Sequence, residues 1–159
     1  MHPISQDILI VFIIFNIHFC FLRLSNFTII FEADSTNKVM KKYILQKSPF
    51  VVPTSDGKLI EEHHGLATTN NSEISIAHMI APPGWSEPFQ TPEFDEYTYI
   101  IKGKKQFIIE DEVIILKTGQ SIKIEKNTRV QYSNPFDEPC EYIAICTPAF
   151  SMDLVNRED

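Results

Sequence analysis

The residues whose types could do chemistry gather in the middle of the chain: the carboxylate Glu96, the amides Gln90 and Asn134, the phenol Tyr132, the indole Trp85 and His78. A carboxylate in apolar surroundings acquires a raised pKa, which suits it to proton transfer as an acid or base. Glu93, Asp95 and Glu96 together could bind a hard cation, although an acidic trio of this kind is more often a solvated loop rim. His63 and His64 fall in an early strand or loop, and His78 in the strand that precedes Gln90. Cys140 and Cys146 lie six apart on one strand, so they face the same way but are too distant to bridge. Neither has a His or Lys neighbour in sequence to activate it, and a buried, inert pair is expected. Arg129 is expected to point outward and pair with an acidic residue. There is no glycine-rich phosphate loop, no Cys-x-x-Cys and no Gly-x-Ser-x-Gly.

The elements that must position these groups read as strands. Candidates are 72–81, 96–102, 104–110, 113–116, 121–124, 128–132 and 141–146, rich in Ile, Val, Tyr and Phe with polar residues interleaved. No stretch carries a long apolar period of 3.6, so no long helix is expected. Asp111-Glu112 is expected to close a tight hairpin, and Ser151 to cap a single helical turn in an otherwise loose end. Alternation places Val130, Tyr132 and Asn134 on one face of their strand, and Gln90 and Pro92 on one face of theirs. Many short strands within about 120 residues predict an all-β sandwich or barrel.

Composition bounds the partners. The chain has 159 residues, 43 % of them hydrophobic and 22 % charged, which suits one folded domain and excludes disorder. Fourteen basic against 21 acidic residues give a formal charge of -7, which repels phosphate backbones, so no nucleic-acid partner is expected. Three cysteines do not make a disulfide framework and fit a reducing, cytoplasmic setting.

Residues 1–39 differ from the rest: they hold six of the twelve Phe and none of the five Gly. The almost wholly apolar run from Ile8 to Leu22 is shorter than the roughly 20 residues of a spanning helix and lacks the basic flank of a signal peptide. Three readings stand. The segment is upstream sequence read as protein, with the start at Met40; or an uncleaved membrane anchor held by Lys38, Lys41 and Lys42; or an apolar segment packed on the domain. Native expression followed by intact-mass measurement separates the first from the others. Domain boundaries follow at 1–39 for the extension and 40–159 for the folded domain.

The stretch from Gly84 to Gly103 resembles the first motif of the cupin superfamily: Gly, five residues, His, one residue, His, three or four residues, Glu, six residues, Gly. Gly84, Glu96 and Gly103 stand at the expected spacing, with Gln90 and Pro92 at the two His positions. Gly119 opens a segment resembling the second motif, where Glu125 stands for Pro, Asn127 for Gly and Val130 for His, while Asn134 matches. Asn tolerates the left-handed turn conformation for which the family pattern uses Gly, so Asn127 is a reasonable substitute. The resemblance covers roughly residues 73–147 and implies a double-stranded β-helix, or jelly-roll barrel, commonly a homodimer.

In metal-dependent cupins the two His and the Glu of the first motif and the His of the second hold one divalent ion. Here those corners are Gln90, Pro92, Glu96 and Val130, of which two own no donor atom. No cofactor is therefore expected; Zn, Fe, Mn or Ni on Gln90 and Glu96 with an inward-facing His78 is the alternative. The resemblance turns Gln90, Glu96, Tyr132 and Asn134 into the barrel, on a wall of Val130, Ile and Phe, with Trp85 at the mouth. Three functions remain open: a binding module for a small polar or sugar-like molecule; an isomerase or lyase using Glu96 with Tyr132; and a structural or regulatory dimer. Without a metal or Lys to stabilise an enolate, catalysis is the weaker of these. A membrane partner follows only if residues 1–39 are an anchor.

Overall fold

The computed structural model describes residues 19–24, 27–32 and 42–158. The chain divides into two compact units, residues 1–44 and 45–159. In the first, β1 (Phe19–Leu24) pairs antiparallel with β2 (Phe27–Glu32), Leu24 opposite Phe27. Most of the apolar run from Ile8, together with Met40, lies outside the described residues. Among the described residues no helix is long and apolar enough to cross a membrane.

The second unit is a β-sandwich curled into a barrel. Its strands are β3 (Phe50–Val51), β4 (Leu59–His64), β5 (Ser75–Ala81), β6 (Trp85–Ser86), β7 (Asp95–Lys102), β8 (Lys104–Ile109), β9 (Glu112–Lys117), β10 (Ser121–Ile124), β11 (Val130–Asn134) and β12 (Cys140–Thr147), followed by a 3-10 turn at Met152–Leu154. One six-stranded sheet runs β10-β7-β12-β5-β4-β3 and faces a four-stranded sheet ordered β6-β11-β8-β9. Every pairing is antiparallel. The core lies between them: Ala81, Ile100, Ile124, Tyr142 and Ala144 from the larger sheet meet Trp85, Phe107, Leu116, Val130 and Tyr132 from the smaller. Alternation produces this. In β12 the residues Cys140, Tyr142, Ala144 and Cys146 are buried while their neighbours are half-exposed.

Local chemistry sets the corners. Gly103 joins β7 to β8 at φ 83°, and a Cβ there would stand 2.5 Å from the Pro139 carbonyl oxygen, so only Gly closes this hairpin. Asn127 takes φ 64°, the left-handed conformation in which Asn can replace Gly. The β8–β9 hairpin turns on Glu110-Asp111, one residue earlier than expected, because Ile109 pairs with Glu112 and Glu110 adopts φ 52°. The end of the chain is not loose. After the 3-10 turn, whose Ser151 makes no side-chain cap, the backbone of residues 154–158 zips onto residues 89–93: Glu93 N–H donates to Leu154, Thr91 N–H to Asn156, and Glu158 N–H to Phe89. Arg129 points outward as expected and grips Glu158 with two hydrogen bonds, at 2.6 and 2.9 Å.

His78 lies on the outer face of β5, since its neighbours Ala77 and Met79 pack in or against the buried interior. Register places it between Glu61 of β4 and Ile143 of β12. Its Nδ1 lies 2.8 Å from Glu61 Oε2 and its Nε2 2.9 Å from Glu141 Oε1. Burial disfavours the imidazolium, but the two carboxylates outweigh it and hold the pKa above the usual value of 6.5. The raised folded-state value means this tie stabilises fully below about pH 6.5 and is lost as pH rises through the folded pKa. His78→Gln should therefore cost stability at pH 5.5 and much less at pH 8.5, read from urea unfolding at both; an equal cost at the two would show that no charge is involved.

Candidate functional site

The barrel interior is built by inward positions of strands from both sheets. Tyr132 on β11 stands opposite Phe107 on β8, the rings meeting edge-on at 5.7 Å between centroids. Its hydroxyl donates to Glu96 Oε2 at 3.1 Å, and the Thr98 hydroxyl donates to Glu96 Oε1 at 2.9 Å. Burial, with Glu96 alongside, pushes the Tyr132 phenol well above 10, so it remains a donor at any neutral pH. Tyr142 on β12 is fully buried, and its hydroxyl has no hydrogen-bond partner. An orphan hydroxyl in a core costs roughly 1–3 kcal/mol.

Between these rings stands Lys105. It is 1 % exposed. Its Nζ lies 3.6 Å from the centroid of Tyr142, 4.8 Å from Tyr132 and 5.2 Å from Phe107. Among the described residues no carboxylate lies within ion-pairing distance of it. Burial drives its pKa down to about 7, with Glu96 opposing. The π faces supply part of what water would have given an ammonium, and the remainder is uncompensated. The presence of Lys105 in the barrel corrects the expectation that no lysine stands ready to stabilise an enolate. The signal was in the sequence: Lys105 lies two residues before Phe107 on β8, so alternation buries both.

A second polar assembly sits beside it. Glu87 is clasped by Lys58 Nζ at 2.6 Å and by the Arg157 guanidinium at 3.1 Å. Lys58 lies over the Trp85 ring at 4.1 Å, and the Trp85 indole N–H donates to Asp56 Oδ2 at 2.6 Å. Burial raises the Glu87 carboxyl, but Lys58 and then Arg157 overcome it and hold the pKa below the usual value. Arg157 Nε also approaches Gln90 Oε1 at 3.4 Å.

The structure brings Glu96 and Tyr132 together as expected, and buries Val130, Tyr132 and Asn134 on one inward face. Trp85, Asn134 and Gln90 commit their polar groups elsewhere. Trp85 packs in the core at 5 % exposure instead of standing at a mouth. Asn134 is fully buried and its amide N–H groups are directed at the carbonyls of Ala81, Pro82 and Glu138, so it ties loops together and has little left for a ligand. Gln90 pairs through its backbone with Val130 on one side and Arg157 on the other. Its amide oxygen faces the guanidinium. Cys140 and Cys146 are free and buried, and burial lifts the Cys140 thiol to about 11.

The family's ion does not fit this donor set. Two of its four corners, Pro92 and Val130, have no lone pair, the Gln90 carbonyl is turned to Arg157, and His78 is on the opposite face of its sheet with both nitrogens engaged. Among the described residues no group of three or more His, Cys, Asp or Glu is placed to hold a metal ion. Glu93 and Asp95 do not join Glu96 in an acidic site: they turn to Asn156 and to Lys123.

A two-sheet antiparallel barrel with this motif spacing defines the protein as a cupin-fold protein. Residues 77–146 match the family model Cupin_2, described as a cupin domain. It is 40 % identical over 108 residues to a Myxococcus xanthus protein named endoribonuclease YbeY, a stretch that covers 68 % of this chain and 37 % of that one. The chain thus spans little more than a third of that relative, and the name describes the relative. Among solved structures, an RmlC-like cupin from Shewanella frigidimarina superposes with a TM-score of 0.58 at 11 % identity, covering 72 % of this chain and 96 % of the other. The EutQ protein of Clostridium difficile gives 0.52 at 22 % identity, covering 64 % and 78 %. At these identities the likeness is one of fold.

Proposed function

We propose that this cupin binds a small, oxygen-bearing polar molecule inside the barrel, without a transition-metal ion, and that Lys105 supplies the positive charge the ion would have brought. The observation that carries this reading is a pair of groups at the barrel centre: the Tyr142 hydroxyl without a hydrogen-bond partner and the Lys105 ammonium with no carboxylate in ion-pairing distance among the described residues. Both carry a desolvation cost that a ligand oxygen would offset. Tyr132 and Glu96 stand ready to fix the ligand's other polar groups. A homodimer is part of the proposal, supported by the exposed Tyr97, Tyr99 and Ile101 along the outer face of β7. So is a cytoplasmic location, supported by two free, buried thiols.

The test is a thermal-shift panel of small carboxylates, oxo acids and open-chain sugars on dialysed protein, with metal content measured alongside. At least one compound should raise the Tm of the wild type and leave Lys105→Met unmoved, with no stoichiometric Zn, Fe, Mn or Ni. A tightly held ion in stoichiometric amount, or a panel without effect, would overturn the proposal.

The Tyr132–Glu96 hydrogen bond beside a lysine of lowered pKa favours a second reading, an isomerase or lyase. Glu96→Gln separates the two: binding kept with turnover abolished means an enzyme, and binding lost with no turnover in either form means a binding module.

A further inference from the structure

We infer that the Lys105 amine is a covalent docking point for a small carbonyl compound, an aldehyde or a 2-oxo acid, which it holds as a reversible imine. The inference rests on the reading of the barrel as a small-molecule site and names the chemical class of its occupant. Three observations lead to it. Among the described residues no carboxylate lies within ion-pairing distance of Lys105 Nζ, so its nitrogen is not locked in an ion pair. It is packed among three aromatic rings, where water is scarce and an imine is protected from hydrolysis. An unpartnered hydroxyl, that of Tyr142, belongs to the nearest of those rings.

The step is balanced without an oxidant or reductant. The neutral amine's lone pair attacks the carbonyl carbon, a C–N bond forms, and one nitrogen proton passes to the oxygen to give a carbinolamine. The second nitrogen proton and the hydroxyl then leave as water, and C=N remains. A neutral amine is what desolvation favours here, since burial lowers the Lys105 pKa to about 7. The charged groups that act on this amine are Glu96 and Glu87, which favour the ammonium, and Lys58, which disfavours it. Tyr142 is the donor available to the carbinolamine oxygen. The low exposure of Lys105 restricts the occupant to small molecules.

The probe is glyoxylate with sodium cyanoborohydride, which reduces an imine irreversibly to a secondary amine. The full chain is treated at pH 7, and labelling is located by peptide fragmentation. Lys105 should be alkylated at least about tenfold faster than its exposed neighbour Lys104, and Tyr142→Phe should slow the reaction at Lys105 several-fold while leaving Lys104 unchanged. Equal or slower labelling at Lys105 overturns the inference. If glyoxylate still raises the Tm in a Lys105-dependent way without being trapped, the imine fails and the binding site stands. If neither trapping nor stabilisation by any compound of the panel occurs, both fall.

Discussion

Lys105→Met is expected to stabilise the unliganded protein by about 2–4 kcal/mol at pH 7. The folded-state pKa of about 7 lies well below the ordinary 10.5. Each unit of such a shift corresponds to about 1.4 kcal/mol of differential free energy. Between those two values the unfolded chain holds a proton that the folded chain gives up, so wild-type stability rises with pH across that window. Below about pH 7 the whole penalty is in force, and it fades as pH approaches 10.5. Methionine keeps the length and the contacts with Tyr142, Tyr132 and Phe107 and removes the charge. Urea unfolding should show little change in the difference below pH 7 and, from about pH 8 to 9.5, the wild type gaining on the variant by about 1.4 kcal/mol per unit. A variant less stable than the wild type at pH 7 would mean that the ammonium has a stabilising partner, and the account of an uncompensated charge would be wrong.

Glu87→Ala carries the largest expected loss, about 3–5 kcal/mol. Removing this carboxylate strands Lys58, whose side chain is 8 % exposed and whose other close partner is the face of Trp85. Arg157, 41 % exposed, can turn to water, so its half of the assembly contributes much less. The lowered Glu87 pKa places this stability above pH 4.5 and removes it as pH falls through the folded value. A Lys58→Met, Glu87→Met double variant should recover most of the loss, because no charge is then left buried. Equal losses in Glu87→Ala and in Arg157→Ala would show that the exposed arm, not Lys58, is what Glu87 serves.

The two assemblies give the barrel its character. A metal-dependent cupin gathers three or four donors around one ion. Here the equivalent corners are filled by Val130 and Pro92, or turned aside like Gln90, and the cation nearest Tyr132 and Glu96 belongs to the chain itself. Charge inside the barrel is thereby titratable near neutral pH, which an ion's charge is not.

Much of this was legible in sequence, because strands with a period of two and glycines at fixed intervals are local signals. The spacing from Gly84 through Glu96 to Gly103 and on to Asn134 pointed to the fold and the inward face of β11. The missing donors at positions 92 and 130 could be read directly. Lys105 was missed for a different reason: alternation marked it as inward, but lysine is so seldom buried that its type overrode its position. The Lys58–Glu87–Arg157 assembly had no local signal at all, since Lys58 and Arg157 lie 29 and 70 residues from Glu87 and Arg157 arrives on the segment that zips onto residues 89–93. The ligand contacts expected of Trp85 and Asn134 meet a common obstacle. Each has a polar group that looked available for a ligand, and each commits it to Asp56 or to backbone carbonyls far away in sequence.

The central claim, that a buried lysine without an ion-pair partner among the described residues stands between Tyr132 and Tyr142 inside the barrel, is tested most directly by titrating the Lys105 side chain by NMR with 13C-labelled lysine, using Lys105→Met to assign its resonance. The account predicts a midpoint near 7. A midpoint close to 10.5, that of a lysine in water or in an ion pair, would contradict it.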